Sequence, residues 1–314
     1  MKAFALTAPG QPAALTDLPN PKLGPDAVRI SVRAASVNGF DVYQASGFLM
    51  GMMEHDLPTV VGRDFAGVVE AVGSERTDVS VGDDVLGLIP STPPLRDGTY
   101  ADQIVTSNLV LVPKPATLSF ETAAAIPLAG ATALDAVEAI EIAPGDVVLI
   151  AGATGGVGAF AVQLAAQRGA TVVATARPGE EEDFVRGLGA SDTVDYSAGD
   201  VPGIVRARYP DGVSALIDMV NRDEAFPPMA ALVRDGGRIA TTLGAADVDS
   251  LAGRGVRATN IMAGPTPEKL TLLAEAAAAG TLRVDVHTFP LASADEALRA
   301  FGIGTLGKLV LVAG

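Results

Sequence analysis

The chain has 314 residues, no cysteine, and 37 acidic against 22 basic residues, which give a net charge of −15. This length fits two domains of ordinary size, and a hydrophobic fraction of 48% is sufficient for buried cores. The absence of cysteine excludes disulfides, thiolate catalysis and every cysteine-containing zinc site. The acidic balance argues against nucleic acid as a partner, because such a surface repels phosphate backbones.

Membrane association is not expected from the hydropathy pattern. Glycine, proline or charged residues interrupt every apolar run before it reaches the length that crosses a bilayer. The first ten residues contain too short an apolar stretch for a signal peptide. We therefore expect a cytoplasmic protein.

The first 117 residues predict short strands separated by Gly, Pro and Asp. Val28, Ile30 and Val32 alternate with polar neighbours, as in a half-buried strand. Further strands are predicted at residues 60–61, 66–69, 79–88 and 100–105, with a turn at 82–84. Short strands at this spacing indicate a compact, barrel-like β domain.

Strands alternate with helical patterns between residues 118 and 263. The apolar run at 147–150 predicts a central strand buried on both faces, and a helical period follows over 157–165. Further strands are predicted at 171–176, 215–217 and 238–242. This alternation predicts an α/β domain with a doubly wound parallel sheet.

The last part of the chain, residues 264–314, combines an Ala-rich helix over 267–279 with short strands that end at 308–312. We expect this part to fold back onto the first domain. The predicted organisation is therefore a first domain made of 1–117 and 264–314, and a second domain made of 118–263.

The most specific motif is the glycine-rich turn at 152–158 (GATGGVG), between the central strand and the following helix. Gly152 permits a tight turn, Gly155 and Gly156 let a pyrophosphate approach the backbone, and Gly158 lets the helix lie close to the strand. The helix N-terminus adds N–H groups and a partial positive charge. An ordinary strand–helix turn is the simpler interpretation, but the flanking strand, helix and second strand all favour dinucleotide binding.

The tip of the second strand indicates which nicotinamide coenzyme binds. The strand ends near Thr175 and Arg177 without the acidic residue that usually holds the ribose 2′-hydroxyl of NAD. An arginine at this place can pair with a 2′-phosphate. The acidic run 180–183 (EEED) follows closely, and we interpret it as the solvated first turn of the next helix. We therefore expect NADPH rather than NADH.

Short motifs extend over essentially the entire chain, at residues 38–43 (NGFDVY), 62–69 (GRDFAGVV), 81–85 (VGDDV), 98–101 (GTYA), 128–133 (LAGATA), 152–158, 188–192 (LGASD), 195–196 (DY) and 307–311 (GKLVL). In this order they resemble the zinc-free quinone oxidoreductase branch of the medium-chain dehydrogenase/reductase superfamily. The resemblance implies an α/β protein in which a GroES-like β-barrel catalytic domain accompanies a Rossmann NADPH-binding domain, with a cofactor cleft between them. It also implies a homodimer.

The same resemblance bears on metal and substrate. The zinc alcohol dehydrogenases of this superfamily carry Cys where Asn38 stands and Gly-His-Glu where residues 62–64 stand, so we expect no metal here. Without a Lewis acid to stabilise an alkoxide, hydride transfer to an electrophilic quinone or α,β-unsaturated carbonyl is the expected reaction. The alternatives are an enone or enoyl reductase in a biosynthetic pathway and a non-catalytic, NADPH-binding redox sensor.

Individual roles follow from the resemblance. Tyr43 and Asn38 are the expected catalytic residues, with Tyr43 contacting the substrate or donating a proton. The expected cofactor-binding residues are Asn38, Thr132, Gly152, Thr154, Gly155, Gly156, Val157, Thr175, Arg177, Tyr196, Leu243 and Lys308.

Simpler interpretations of some of these residues stay open. Asn38 and Asp41 can serve to organise a turn, Tyr43 can pack on the barrel, and Thr132 can cap a helix. The two histidines, His55 and His287, are expected at the surface or in structural roles.

Overall fold

The computed structural model describes residues 1–313. The strands are β1 (Lys2–Leu6), β2 (Ala14–Asp17), β3 (Val28–Ser36), β4 (Thr59–Val60), β5 (Asp64–Val72), β6 (Asp84–Leu88), β7 (Gln103–Thr106), β8 (Val110–Pro113), β9 (Val147–Ala151), β10 (Thr171–Thr175), β11 (Asp192–Val194), β12 (Val213–Asp218), β13 (Val233–Thr241), β14 (Arg257–Asn260), β15 (Val286–Pro290) and β16 (Lys308–Val312). The α-helices are α1 (Gly39–Ala45), α2 (Phe120–Ala124), α3 (Pro127–Ala139), α4 (Gly156–Gln167), α5 (Glu180–Gly187), α6 (Val201–Arg208), α7 (Phe226–Ala230), α8 (Val248–Ala252), α9 (Pro267–Ala278) and α10 (Ala294–Ile303).

The chain forms two units, each with its own core. One unit comprises Met1–Leu128 together with the chain from Pro265 onward, and the other comprises Ala129–Gly264. Residues 118–128, which the sequence pattern assigned to the second domain, lie in the first unit because α2 packs against β3 and β5. No helix among residues 1–313 is long and apolar enough to span a bilayer.

The first unit is built mainly from antiparallel strands. One sheet has the order β2-β1-β4, and the larger sheet has the order β15-β16-β3-β5-β6-β8, with β7 also paired to β3. Strand β3 has the predicted alternation, since Val28, Ile30 and Val32 are buried among more exposed neighbours. The C-terminal strand β16 runs antiparallel to β3, with Val310 opposite Ser36.

The second unit contains six parallel strands in the order β11-β10-β9-β12-β13-β14. The first strand of this unit, β9, lies at the centre, and the chain proceeds outward from it on one side and then the other. This is the doubly wound order of a dinucleotide-binding fold. Strand β12 is buried at all six positions, as expected for a strand covered on both faces. The α/β prediction is confirmed.

Candidate active site

The predicted coenzyme residues of the second unit follow several parallel strands at their carboxyl ends. The glycine turn follows β9, Arg177 follows β10, Tyr196 follows β11 and Leu243 follows β13. Since the strands are parallel, these ends share one edge of the sheet. Ligands of open α/β sheets bind outside this edge, where the strand order reverses. Here the reversal lies at β9, between β10 and β12.

The glycine turn has the close backbone packing that its spacing predicts. Gly152 has a φ of +85°, a conformation that favours glycine. A Cβ atom at Gly158 would lie 2.1 Å from the carbonyl oxygen of Gly152, so only glycine lets α4 start this close to β9. In contrast, a Cβ atom at Gly155 would meet only that same oxygen, at 3.7 Å. The turn therefore leaves room above Gly155.

The N-terminus of α4 has no side-chain cap. Its N-cap residue is Gly155, which has no side chain that could accept a hydrogen bond from the first turn. Backbone N–H groups at a helix start need a partner from outside the helix, and an anion is favoured there by the helix dipole. Thr154, Gly156 and Val157 in this turn are partly exposed. The turn therefore fits the pyrophosphate of a dinucleotide.

Thr175 ties the glycine turn to the neighbouring strand. Its hydroxyl oxygen accepts a hydrogen bond from the N–H of Gly152 at 3.0 Å, and the side chain is buried. The contact joins the ends of β9 and β10. The structure thus gives Thr175 a role in holding the turn.

Arg177 is held by an acidic neighbour. Its backbone N–H and its Nε each donate to the carboxylate of Glu181, at 2.7 Å. The hydroxyl of Tyr196 donates to the same carboxylate at 3.0 Å, and the guanidinium lies 5.9 Å from the centre of the Tyr196 ring. The structure therefore brings two predicted coenzyme residues together around a third residue.

The interpretation of the acidic run 180–183 is confirmed in one respect and wrong in another. Helix α5 does begin at Glu180. The side chain of Glu181, however, is only 11% exposed, because Arg177 and Tyr196 enclose it. Burial raises the pKa of Glu181, but the hydrogen bonds from Arg177 and Tyr196 outweigh burial and bring it below its ordinary value. The carboxylate of Glu181 is therefore ionised and accepts hydrogen bonds from Arg177 and Tyr196.

Two other predicted coenzyme residues of the second unit are Leu243 and Thr132. Leu243 is partly exposed just beyond β13, and its N–H donates to the hydroxyl of Thr241 at 3.3 Å. Thr132 is buried within α3, five residues after its first residue, so it does not cap that helix. The capping interpretation of Thr132 is wrong.

In the first unit, Asn38 is the centre of a buried polar network. Its side-chain Nδ2 donates to Asp64 at 2.9 Å, and its Oδ1 accepts from the ammonium of Lys308 at 2.6 Å. Lys308 also donates to the carbonyl oxygen of Val37 at 2.8 Å. These contacts fix which end of the amide points in which direction. Lys308 is buried and supports Asn38 through its ammonium group.

Asp41 belongs to the same network. It accepts hydrogen bonds from the N–H of Asn38 at 2.9 Å and from the hydroxyl of Tyr100 at 3.2 Å. Its second carboxylate oxygen has no partner. Asp41 therefore organises the first turn of α1, as the simpler interpretation of the sequence held.

The network encloses two acids and two bases. Burial raises the pKa of Asp41 from its ordinary 3.8 to about 6, opposed by the charge of Arg63 and reinforced by that of Asp64. Burial likewise raises the pKa of Asp64, against the charge of Lys308. It lowers the pKa of Lys308 and of Arg63, against the attraction of the acids. Burial therefore disfavours the charged form of all four groups, and the attraction between opposite charges offsets this only in part.

Tyr43 lies on α1, close to an exposed apolar segment. Its side chain is 42% exposed, and its ring lies 5.7 Å from that of Phe48, tilted by 45°. Phe48 and Met52 are more exposed still. An exposed tyrosine beside exposed apolar side chains suits contact with a flat, apolar ligand.

The histidines have structural contacts. His55 Nδ1 contacts the carbonyl oxygen of Met53 at 2.8 Å, and His287 Nε2 contacts that of Leu306 at 3.1 Å. Within residues 1–313 there is no group of three or more His, Asp or Glu side chains that could hold a metal ion.

Two carboxylates at the sheet edge were not among the predicted residues. One is Glu181, and its spacing of four from Arg177 on a helix start is the signal that could have found it. The other is Asp218 at the end of β12. It is buried and accepts the N–H groups of Val220 at 3.0 Å and Asn221 at 2.9 Å. Its signal was its place directly after the predicted strand 215–217.

Comparison with known proteins agrees with both units. Residues 24–116 match the family model of the alcohol dehydrogenase GroES-like domain. Residues 156–284 match the model of the zinc-binding dehydrogenase. The first unit is therefore a GroES-like domain, and the second is a Rossmann domain.

Similar proteins are oxidoreductases by name. A trans-enoyl reductase of Aspergillus flavipes is 36% identical over 249 residues, which is 75% of this chain and 68% of that protein. A quinone oxidoreductase of Pseudomonas aeruginosa is 33% identical over 292 residues, 87% of each chain. The structure of a quinone oxidoreductase from Coxiella burnetii superposes with a TM-score of 0.87 at 31% identity, over 99% of this chain and 98% of that one.

Fold, motifs and relatives agree, and the family implies a nicotinamide coenzyme. The chain is an oxidoreductase that belongs to the quinone oxidoreductase branch of the medium-chain dehydrogenase/reductase superfamily.

Proposed function

We propose that this protein reduces a quinone or an α,β-unsaturated carbonyl with NADPH and without zinc, as a homodimer. The main support for the proposal is the glycine turn at 152–158, which has an uncapped helix N-terminus and lies on the strand next to β10, after which Arg177 follows. The bound coenzyme supplies a hydride. The names of the relatives above, a quinone oxidoreductase and an enoyl reductase, support both acceptor classes.

The proposed coenzyme site uses backbone and side chains of the second unit. Residues 154–157 meet the pyrophosphate, and Thr175 holds Gly152 in place. The guanidinium of Arg177, with a side chain 59% exposed, offers N–H donors to a 2′-phosphate. Tyr196 lies beside it, and Thr132 and Leu243 complete the proposed set.

The proposed reaction needs no metal, and the side chains do not fit zinc. The sequence has no cysteine, and Asn38, Arg63 and Asp64 stand where zinc enzymes of this superfamily carry Cys, His and Glu. The Asn38 amide already donates to Asp64 at 2.9 Å, and the ammonium of Lys308 lies 2.6 Å from its side-chain oxygen. A buried cation at this place repels a second one.

Asn38 and Tyr43 are our candidates for contact with the reacting groups. Lys308 and Asp64 hold the Asn38 amide rigidly, so it can position a ligand without moving. Tyr43 offers an exposed ring and a hydroxyl, suited to an aromatic acceptor and to supplying a proton to the reduced oxygen.

The coenzyme proposal is tested by Arg177→Ala. We expect NADPH to bind at least tenfold more weakly to the variant, because the charged hydrogen bonds to the 2′-phosphate are lost, while NADH binds almost as before. Titration calorimetry with both coenzymes measures this. The control is Arg186→Ala, which removes an arginine paired with Glu182 on the same helix. Equal losses for both coenzymes would contradict the assignment of Arg177.

The acceptor is tested by following NADPH absorbance with a panel of quinones and enones. We expect turnover with at least one class, and we expect Tyr43→Ala to raise the KM for that acceptor without changing coenzyme affinity. Tight NADPH binding with no oxidation by any acceptor would favour the redox sensor instead.

A further inference from the structure

Glu181 is an acidic side chain that contacts both proposed 2′-phosphate donors, Arg177 and Tyr196. Its carboxylate accepts the backbone N–H and the Nε of Arg177, both at 2.7 Å, and the hydroxyl of Tyr196 at 3.0 Å. The Nη2 of Arg177 lies 2.5 Å from Glu181 Oε1. Four donors that a phosphate would use, the backbone N–H, Nε and Nη2 of Arg177 and the hydroxyl of Tyr196, therefore already contact a carboxylate of this chain.

The burial of the two charges is unequal. The Glu181 side chain is 11% exposed, whereas the Arg177 side chain is 59% exposed. A ligand can therefore reach the guanidinium but cannot easily displace the carboxylate. The guanidinium has five N–H donors in a fixed plane, of which Nε and Nη2 face Glu181. The Nη1 side of the guanidinium has no contact with this carboxylate and is left for a ligand.

The charges of Arg177 and Glu181 cancel, and Asp195 adds a further negative charge that acts on Arg177. One guanidinium and one ionised carboxylate leave no net positive charge to attract a phosphate dianion, and the phosphate meets the repulsion of Glu181 along with the attraction of Arg177. A ribose 2′-hydroxyl carries no charge and does not meet this repulsion. The Glu181 carboxylate therefore weakens the binding of NADPH much more than that of NADH.

We propose that Glu181 is a specificity-determining residue, whose carboxylate competes with the coenzyme 2′-phosphate for Arg177 and so narrows the preference for NADPH over NADH. The proposal rests on the proposed function, since it assumes that a nicotinamide coenzyme binds beside β10. It assigns a role to a residue that contacts the proposed phosphate donors, Arg177 and Tyr196, and not the phosphate itself. Glu181 acts through charge, and Arg177 makes the contact.

The test is Glu181→Gln, which keeps the size of the side chain and one acceptor oxygen but removes the charge. We expect the dissociation constant for NADPH to fall about 5- to 10-fold at low salt, as expected for removing one like charge at a few ångströms near a surface. The value for NADH should stay within about twofold. High salt should shrink the gain, because screening weakens the interaction. Titration calorimetry with NADPH, NADH and 2′,5′-ADP gives these values without any turnover.

Two control variants separate charge from packing. Glu182→Gln removes the same charge from the next residue, which pairs with Arg186, and it should leave the NADPH to NADH ratio unchanged. Glu181→Asp keeps the charge in a shorter side chain and should give no gain in NADPH affinity. Circular dichroism and thermal unfolding confirm that each variant is folded.

The outcomes separate the two proposals. Weaker NADPH binding by Glu181→Gln would mean that Glu181 only anchors Arg177, and equal changes for both coenzymes would mean a purely structural role. Either result overturns the inference while the proposed function stands. Failure of the wild-type protein to bind any of the three nucleotides would overturn the proposed function and the inference with it.

Discussion

At the scale of single residues, the buried carboxyl of Asp41 makes stability depend on pH. It is fully buried, its neighbours include Asp64, Arg63 and Lys308, and one of its oxygens has no hydrogen-bond partner. The pKa of the folded-state carboxyl, about 6, lies above its ordinary 3.8. The folded state therefore binds a proton that the unfolded state has already lost between these values. Stability from this group is complete below about pH 4 and falls as pH rises through 6.

The substitution Asp41→Asn tests this. Asparagine keeps an oxygen to accept from Asn38 and Tyr100, and carries no charge. We expect the wild type to lose up to about 3 kcal/mol of stability relative to the variant between pH 4 and pH 7. Urea unfolding at a series of pH values measures the difference. A difference that does not change with pH would contradict the prediction.

Single residues are also where the sequence was least informative. The pairing of Arg177 with Glu181 depends on a side chain turning inward at the first turn of α5, whereas a run of four acids predicts a solvated face. The network around Asn38 depends on Lys308, which lies 270 positions along the chain. The spacing of four between Arg177 and Glu181 indicates that pair but not the burial of the carboxylate. The lysine partner of Asn38 does not follow from local spacing at all, because tertiary packing decides that contact.

At the scale of elements, prediction from sequence succeeded where the pattern is long or strict. Strands β9 and β10 and helix α4 match their predicted positions, because a buried parallel strand is uniformly apolar and the glycine turn marks the junction. Short strands such as β2 were not predicted. Its four residues are mostly exposed, so they carry no apolar alternation.

The glycine turn gives a matched pair of variants. Gly158→Ala should destabilise the fold by several kcal/mol, because the new methyl group would lie 2.1 Å from a backbone oxygen and 2.7 Å from the Cα of Ala153. Gly155→Ala should leave the melting temperature nearly unchanged, since its methyl group meets only one atom, at 3.7 Å.

The same pair tests the proposed pyrophosphate site. The methyl group of Gly155→Ala would occupy the space left for the ligand, so we expect NADPH and NADH to bind at least tenfold more weakly to this stable variant. Thermal unfolding and calorimetry measure the two effects separately. Unchanged affinity of a folded Gly155→Ala protein would place the dinucleotide elsewhere.

At the scale of the whole molecule, the second unit is continuous in sequence and the first is not. The second unit, Ala129–Gly264, has a complete six-stranded sheet and its own core around Leu149 and Leu216. All the proposed 2′-phosphate and pyrophosphate residues lie within it. The second unit is thus an insertion in the first, which is formed by the chain segments before Ala129 and after Gly264.

We therefore expect a fragment of residues 129–264 to bind 2′,5′-ADP by itself, with an affinity close to that of the full chain, because this ligand lacks the nicotinamide. Calorimetry on the purified fragment measures the affinity, and circular dichroism shows whether it is folded. A folded fragment that does not bind 2′,5′-ADP would contradict the placement of the site.

The pairing of β16 with β3 has a consequence for how the protein is made. Ser36 is opposite Val310, and Lys308 reaches back to Val37 and Asn38. A ribosome releases β3 long before it synthesises β16, so the nascent first unit exposes an unpaired strand and an incomplete core throughout that interval. The Ala129–Gly264 insertion can fold during this delay. Asn38 therefore gains its lysine partner, 270 positions along the chain, only after the whole Ala129–Gly264 insertion has been synthesised.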